Sequence, residues 1–231
     1  MAYILYEGPS QLDGEPIVVI MTKGGKSKNE KTGAMAQVYI LRSDMPPLEA
    51  TKSGSDVSIC GNCPHRPISG GSCYVNVAQG PRAVYDAYKR GVYTHQWSWM
   101  QFRGITIRLG AYGDPSAVNV NLWKNLTDMA KSWTGYTHQA LQHPEYQHLI
   151  QASADTEQEA LELQRLGWKT FRVKRPEDPL MPGELMCPNV THGIKCESCN
   201  LCNGRKANIA IDVHGLSHKI TKFKQWSMQP I

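Results

Sequence analysis

Residues 149–173 read LIQASADTEQEALELQRLGWKTFRV, and the fold class turns on them. Residues 149–152 have strand character. TEQEALELQRL (156–166) reads as a helix, which Gly167 stops, and KTFRV (169–173) reads as the next strand. Working outward, 105–109 predicts a strand, 118–131 a helix, 135–137 a short strand and 207–213 (ANIAIDV) another strand. Alternating strands and helices argue for an α/β fold whose parallel sheet is open or curved into a compact, partial β/α barrel. Upstream, PIVVIM (16–21) and QVYIL (37–41) predict strands in a β-rich N-terminal part, and PRAVYDAYKR (81–90) predicts a helix closed by Gly91.

The chain has 231 residues and a formal net charge of +5. That length suits one domain able to bury a core without disulfides. The expected organisation is a β-rich part (1–59), a cysteine loop (60–80), βα repeats (81–186) and a cysteine-rich segment (187–231). A charged fraction of 19% against a hydrophobic fraction of 41% excludes a disordered chain. No apolar run approaches the ~18 residues of a membrane span. The start, MAYILYEGPSQLDG, lacks the features of a signal peptide, so the expectation is a cytoplasmic protein. The mild basicity permits a nucleic-acid partner without demanding one.

All seven cysteines fall in two windows. Cys60, Cys63 and Cys73 lie in CGNCPHRPISGGSC, and Cys187, Cys196, Cys199 and Cys202 lie in CPNVTHGIKCESCNLC. In a reducing compartment such paired spacings point to metal or redox chemistry rather than disulfides. The C-x2-C-x2-C run with one remote cysteine can wrap four thiolates round an iron–sulfur cluster or a zinc ion. His192, His214 and His218 are candidate replacements for a thiolate. The first window, bent by Pro64, Pro67, Gly70 and Gly71, offers three thiolates. Either His65 or a distant histidine completes a zinc site there, or three cysteines hold a four-iron cluster with one iron open. Free thiols with a redox or purely structural role are the alternative.

Ligands of α/β folds bind at the carboxyl ends of parallel strands. The predicted strand ends carry Asp114, His138, Ser153, Asp155, Arg172, Lys174 and His214. Asp114, His138 and Asp155 are the candidate catalytic residues, and Arg108, Arg172, Lys174 and His214 the candidate substrate-binding ones. Helix capping competes as the role of Asp114 and Asp155, since Asp155-Thr156 precedes a helix and Asp114 precedes Pro115. Gly25-Lys26-Ser27 lacks the upstream glycine of a phosphate loop, because position 20 is Ile. The lysines of that loop (Lys23, Lys26, Lys28, Lys31) are either solvated or in contact with a phosphate backbone. Trp97 and Trp99 alternate as on a strand face and suit a core.

CGNCPHR, GGSCYVNVAQGP, RLGAYGDPSAV, TGYTHQ and the closing CP…C-x2-C-x2-C-x-G resemble an uncharacterised family of small phage and prophage proteins, over nearly the whole chain. That resemblance implies a phage-encoded protein at work in a bacterial cytoplasm, and no activity comes with it. Residues 149–214 are more distantly similar to the end of tRNA-guanine transglycosylases, whose phage relatives insert deazaguanine bases into DNA. The match departs at decisive points. Arg172 stands where that family has its nucleophilic aspartate, its Asp-Ser-Gly-Gly-Phe-Gln segment is missing, and its C-x-C-x2-C zinc run is here C-x2-C-x2-C. A third likeness is to radical S-adenosylmethionine enzymes, whose partial barrel, three-cysteine loop and auxiliary cluster match the counts of three and four but not the C-x3-C-x2-C spacing.

These readings favour a cysteine-ligated metalloenzyme that modifies a nucleic-acid base or nucleotide. Its cofactor would be iron–sulfur clusters, with Zn2+ the close alternative and S-adenosylmethionine a further candidate ligand. A zinc-stabilised nucleic-acid or protein-binding module, using the Lys-rich loop and Arg205, Lys206, Lys219, Lys222 and Lys224, is the other class of function. The sequence leaves the oligomeric state open.

Overall fold

The computed structural model describes residues 2–24 and 30–227, so Lys26 and Lys28 of the basic loop lie outside the described residues. In chain order the strands and helices are β1 (Tyr3–Pro9), β2 (Pro16–Thr22), β3 (Ala36–Arg42), α1 (Pro47–Ser53), α2 (Val57–Cys60), α3 (Gly80–Lys89), β4 (Thr106–Tyr112), α4 (Val120–Met129), β5 (Ser132–Thr134) and β6 (Tyr136–Thr137). They continue with β7 (Gln151–Ala154), α5 (Glu157–Arg165), β8 (Thr170–Lys174), β9 (Glu184–Met186), α6 (Pro188–His192), α7 (Cys196–Cys199), β10 (Asn208–Asp212) and α8 (Ser217–Ser227).

The strands form two five-stranded sheets, ordered β1-β2-β3-β4-β5 and β6-β7-β8-β10-β9. The first sheet opens as an antiparallel meander. It turns parallel where β3 meets β4 and β4 meets β5. Every pairing of the second sheet is parallel. The expected α/β class therefore holds. No closed barrel forms among the described residues: β1 and β9 are the outer strands of the two sheets.

The sheets share a seam. β5 pairs with β4 and β6 pairs with β7, and only Gly135 separates β5 from β6. The carbonyl of Gly135 accepts from Gln151 N at 3.0 Å, and its N–H donates to Cys202 O at 3.1 Å. A Cβ at 135 would come within 2.5 Å of the Ile150 side chain, so only glycine lets the chain pass from one sheet to the other. The core is apolar as the patterns demand. Ile17 to Ile20 of β2 are wholly buried, and so are Val38, Ile40 and Leu41 of β3 and Ile107 and Leu109 of β4. β2 has the unbroken apolar run of a strand buried on both faces.

Tyr3, Ile4, Trp97, Trp99 and Phe102 make one aromatic corner beside β1. Trp97 Nε1 donates to Ile4 O at 2.7 Å, and the Trp97 and Phe102 rings lie 5.3 Å apart. The tryptophans thus pack on the core as expected, but from an irregular loop and a short 3-10 turn (Trp99–Phe102) rather than from a strand face.

Candidate functional site

A cavity of about 620 Å3 opens at the carboxyl ends of the parallel strands, and all seven cysteines line it. Strands β4 to β8 and β10 deliver residues to it. β4 contributes Arg108 and leads into Asp114, β6 leads into His138, β7 into Asp155, and β10 into His214. β8 sends Phe171 and Val173 into the cavity, while Arg172 and Lys174 project on the strand's other side. Successive residues of a strand face opposite ways, so β8 cannot offer both pairs to the same chamber.

Arg172 and Lys174, expected to bind substrate, are thus engaged elsewhere. Arg172 grips Glu184 of β9 with two bonds, Nε to Oε1 at 2.8 Å and Nη2 to Oε2 at 2.6 Å. Lys174 Nζ lies 2.6 Å from Asp212 Oδ1 and donates to the carbonyls of Arg175 and Asp178. Both tie β8 to its neighbours.

The first cysteine loop is shaped by Arg66. Its guanidinium pairs with the buried Asp56 at 2.7 Å and donates to the carbonyls of Gly54 and Gly61. Cys73 N donates to His65 O, which closes the loop on itself. Asp114 N donates to Ile59 O at 2.6 Å, and Gln139 Nε2 donates to Cys60 O, so Cys60 is pinned beside the ends of β4 and β6. The second cysteine set is held from two directions. Cys187 N donates to Ala210 O in β10. Cys196 N donates to Lys31 O, and Glu197 Oε2 accepts from Ala34 N at 2.6 Å. Burial pushes the Cys60, Cys73, Cys196 and Cys202 thiols above the ordinary range, so as free thiols they stay protonated at neutral pH. Within each set the sulfurs are close enough for their charges to act on one another, Cys60 with Cys63 and Cys73, and Cys202 with the other three.

Asp114 takes the capping role. Its Oδ1 accepts from Ser116 N and Oγ, and its Oδ2 accepts from Thr137 Oγ1 and His138 N, both at 3.0 Å. It therefore fixes the backbone from which His138 projects. Asp155 does the reverse of what its place before a helix suggests. Thr156 caps α5 by accepting from Glu159 N, which releases the Asp155 carboxylate towards the cavity. There Oδ2 lies 2.7 Å from His65 Nε2 and 3.2 Å from His138 Nε2. Burial alone would push the Asp155 carboxyl up, but the two imidazoles outweigh it and hold the group well below the usual carboxylate range. Burial likewise works to lower the His138 value, and Cys63 and Asp155 together outweigh it and raise it. His65 entered the sequence reading only as a possible extra ligand for its own loop. Its place opposite Asp155, 90 residues away in sequence, has no local signature.

Arg108 is 9% exposed and donates from Nη2 to Tyr74 Oη at 2.7 Å. It has no carboxylate partner among the described residues. The Tyr74 ring lies against His214, with centroids 5.9 Å apart at the rim. Tyr136, Phe171 and Phe223 add aromatic surface to a mainly apolar wall. His192 and His218 are exposed and stand outside the cavity lining. No described helix is long and apolar enough to cross a membrane. Compared with protein-family models, with curated proteins and with solved structures, the chain matches none at a significant level.

Proposed function

We propose that this chain is a thiolate-ligated iron–sulfur enzyme, of the phage type its sequence resembles, whose strands from β3 to β9 serve as a partial β/α barrel and whose reaction takes place in the cysteine-lined cavity. One observation carries the reading: two cysteine windows more than a hundred residues apart in sequence converge on one chamber at the ends of five parallel strands. Cys187, Cys196, Cys199 and Cys202 would hold one cluster. Cys60, Cys63 and Cys73 would hold a second with one iron left for a small ligand such as S-adenosylmethionine. Bound there, such clusters would supply electron transfer.

The feature that favours clusters over zinc is the tight C-x2-C-x2-C run of Cys196, Cys199 and Cys202. The chamber's size and aromatic lining suit a nucleobase or nucleotide, and the Arg108 guanidinium suits a phosphate or carboxylate on it. The non-catalytic binding module is less well supported, because its basic tail is partly committed. Arg205 donates to His148 O and lies over the Trp133 ring, and Lys219 donates to Val75 O.

The test is anaerobic purification followed by an absorption spectrum and analysis of iron, zinc and acid-labile sulfide. A brown protein with roughly four or eight irons is expected. A colourless protein with one or two zincs and no sulfide would overturn the reading.

A further inference from the structure

We propose that His65, His138 and Asp155 form a separate mononuclear site for a divalent first-row ion of the iron(II) or manganese(II) type, with its open positions facing the chamber. One donor atom from each of the three residues lies within 4.8 Å of the others. Two imidazoles and one carboxylate on one side of an ion, with the remaining positions free, is the donor pattern of non-haem iron(II) sites.

The spacing fits. An oxygen and a nitrogen bound at right angles, each about 2.1 Å from the ion, stand about 3.0 Å apart. The two nitrogen-to-Oδ2 separations here, 2.7 and 3.2 Å, straddle that value. A plain hydrogen-bonded cluster accounts for the geometry less well. His65 Nε2 is buried and lies 2.7 Å from Asp155 Oδ2, but off the line of a well-formed hydrogen bond. The other nitrogen, Nδ1, is engaged by Ser72 Oγ. If Nδ1–H donates to Ser72, Nε2 carries a free lone pair beside the carboxylate oxygen, available to an ion, the arrangement by which an outer partner fixes a ligating imidazole.

The remaining supports are also in place. Asp155 N donates to Glu159 Oε2, and Asp114 fixes the main chain of His138. The ion-pair partners of Asp155 among the described residues are these two histidines, with no Lys or Arg to neutralise it. Its side chain is 2% exposed, so its charge is balanced either by these imidazoles or by an ion that they share with it. All three residues line the cavity, so a bound ion would meet whatever occupies it. Cys63 sits against the His138 imidazole, which would set this ion beside the first thiolate set without a shared donor. The proposal does not depend on which metal the cysteines hold.

Manganese(II) discriminates between the two kinds of site, because it prefers carboxylate and imidazole to thiolate. Protein isolated anaerobically with its cysteine centres filled would be titrated with Mn(II) and followed by loss of the free-ion EPR signal. The expected result is a single tight equivalent per chain. That uptake is lost in Asp155→Asn, weakened about 10–100-fold in Ser72→Ala, and unchanged in His192→Gln, which alters an exposed histidine. No uptake by the wild type, or uptake that Ser72→Ala and Asp155→Asn leave intact, overturns the site. Should Asp155→Asn fail to fold, Ser72→Ala decides alone. Iron and sulfide content, measured on the same samples, reports on the cysteine clusters separately.

Discussion

Replacing Glu184 by glutamine removes the counter-charge of a guanidinium that has nowhere else to go. The Arg172 side chain is 3% exposed and that of Glu184 is 0% exposed. The carboxylate accepts from Arg172 Nε and Nη2 and also from Met181 N at 2.9 Å, while Arg172 Nη2 reaches Pro179 O. An amide cannot accept all of these donors, and it leaves a buried positive charge uncompensated. Breaking such a pair costs about 3–5 kcal/mol. For a chain of this size that corresponds to a fall in Tm of about 6–20 °C. Removing both charges in Arg172→Met/Glu184→Leu should restore most of the loss, because the desolvation penalty disappears with the pair. Urea unfolding of the wild type, the single variant and the double variant, read by tryptophan fluorescence, measures all three. The single variant should also lose metal from the second cysteine set, since β9 runs directly into Cys187. A cost below about 1 kcal/mol for Glu184→Gln, or a double variant as unstable as the single one, would refute the account of β8 and β9 as joined by this pair.

Arg108→Met should leave stability unchanged or raised, because that buried guanidinium has no carboxylate partner among the described residues to offset its desolvation; a loss above about 1 kcal/mol in thermal unfolding would contradict this. Gly204→Ala forces a side chain into a backbone at φ +76°, with its Cβ 2.5 Å from Ile150 O and 2.7 Å from Ile150 N. Strain of about 1–3 kcal/mol from the backbone alone is expected, together with lowered metal content at the neighbouring Cys202, and a wild-type melting curve would sink it. The hydrogen bond from Arg175 holds the Asp178 carboxyl below its usual range. Its contribution to stability is therefore complete above the unfolded value, about pH 4, and is lost as pH falls through the lower folded value. Asp178→Asn should flatten the acid limb of a stability–pH profile and leave its neutral region little changed in slope; an unaltered acid limb would count against the pair.

What could be read from the sequence followed local physics. The alternating segments from 105 to 213 became β4, α4, β6, β7, α5, β8 and β10, with ends shifted by a few residues, because apolar periodicity and a helix-stopping glycine act over short range, while the three-residue β5 was missed. β9 was missed, since Glu184–Met186 is only three residues long and is specified by pairing with β10 and by the Arg172 bond. β1 was missed because it owes its place to β2 rather than to its own pattern. At the site, the cysteine spacing singled out the thiols that line the cavity, and the strand-end rule brought Asp114, His138, Asp155 and His214 to it. The rule failed at β8, where strand parity turned Arg172 and Lys174 away. It could not foresee that Thr156 would relieve Asp155 of capping, or that the loop carrying His65 would fold over to meet it.

The tether between α7 and the stretch before β3 also governs the order of assembly. Glu197 bonds to Ala34 across 163 residues, and Cys196 to Lys31 across a similar span. On a ribosome, the first sheet and the three-thiol loop can be in place while these contacts are still unmade. The second thiol set cannot be completed, nor the chamber gain its far wall, until at least residue 202 has emerged. Closure of that wall is accordingly a late event in the folding of the chain, and until it happens the chamber lacks the side that Cys187 to Cys202 supply.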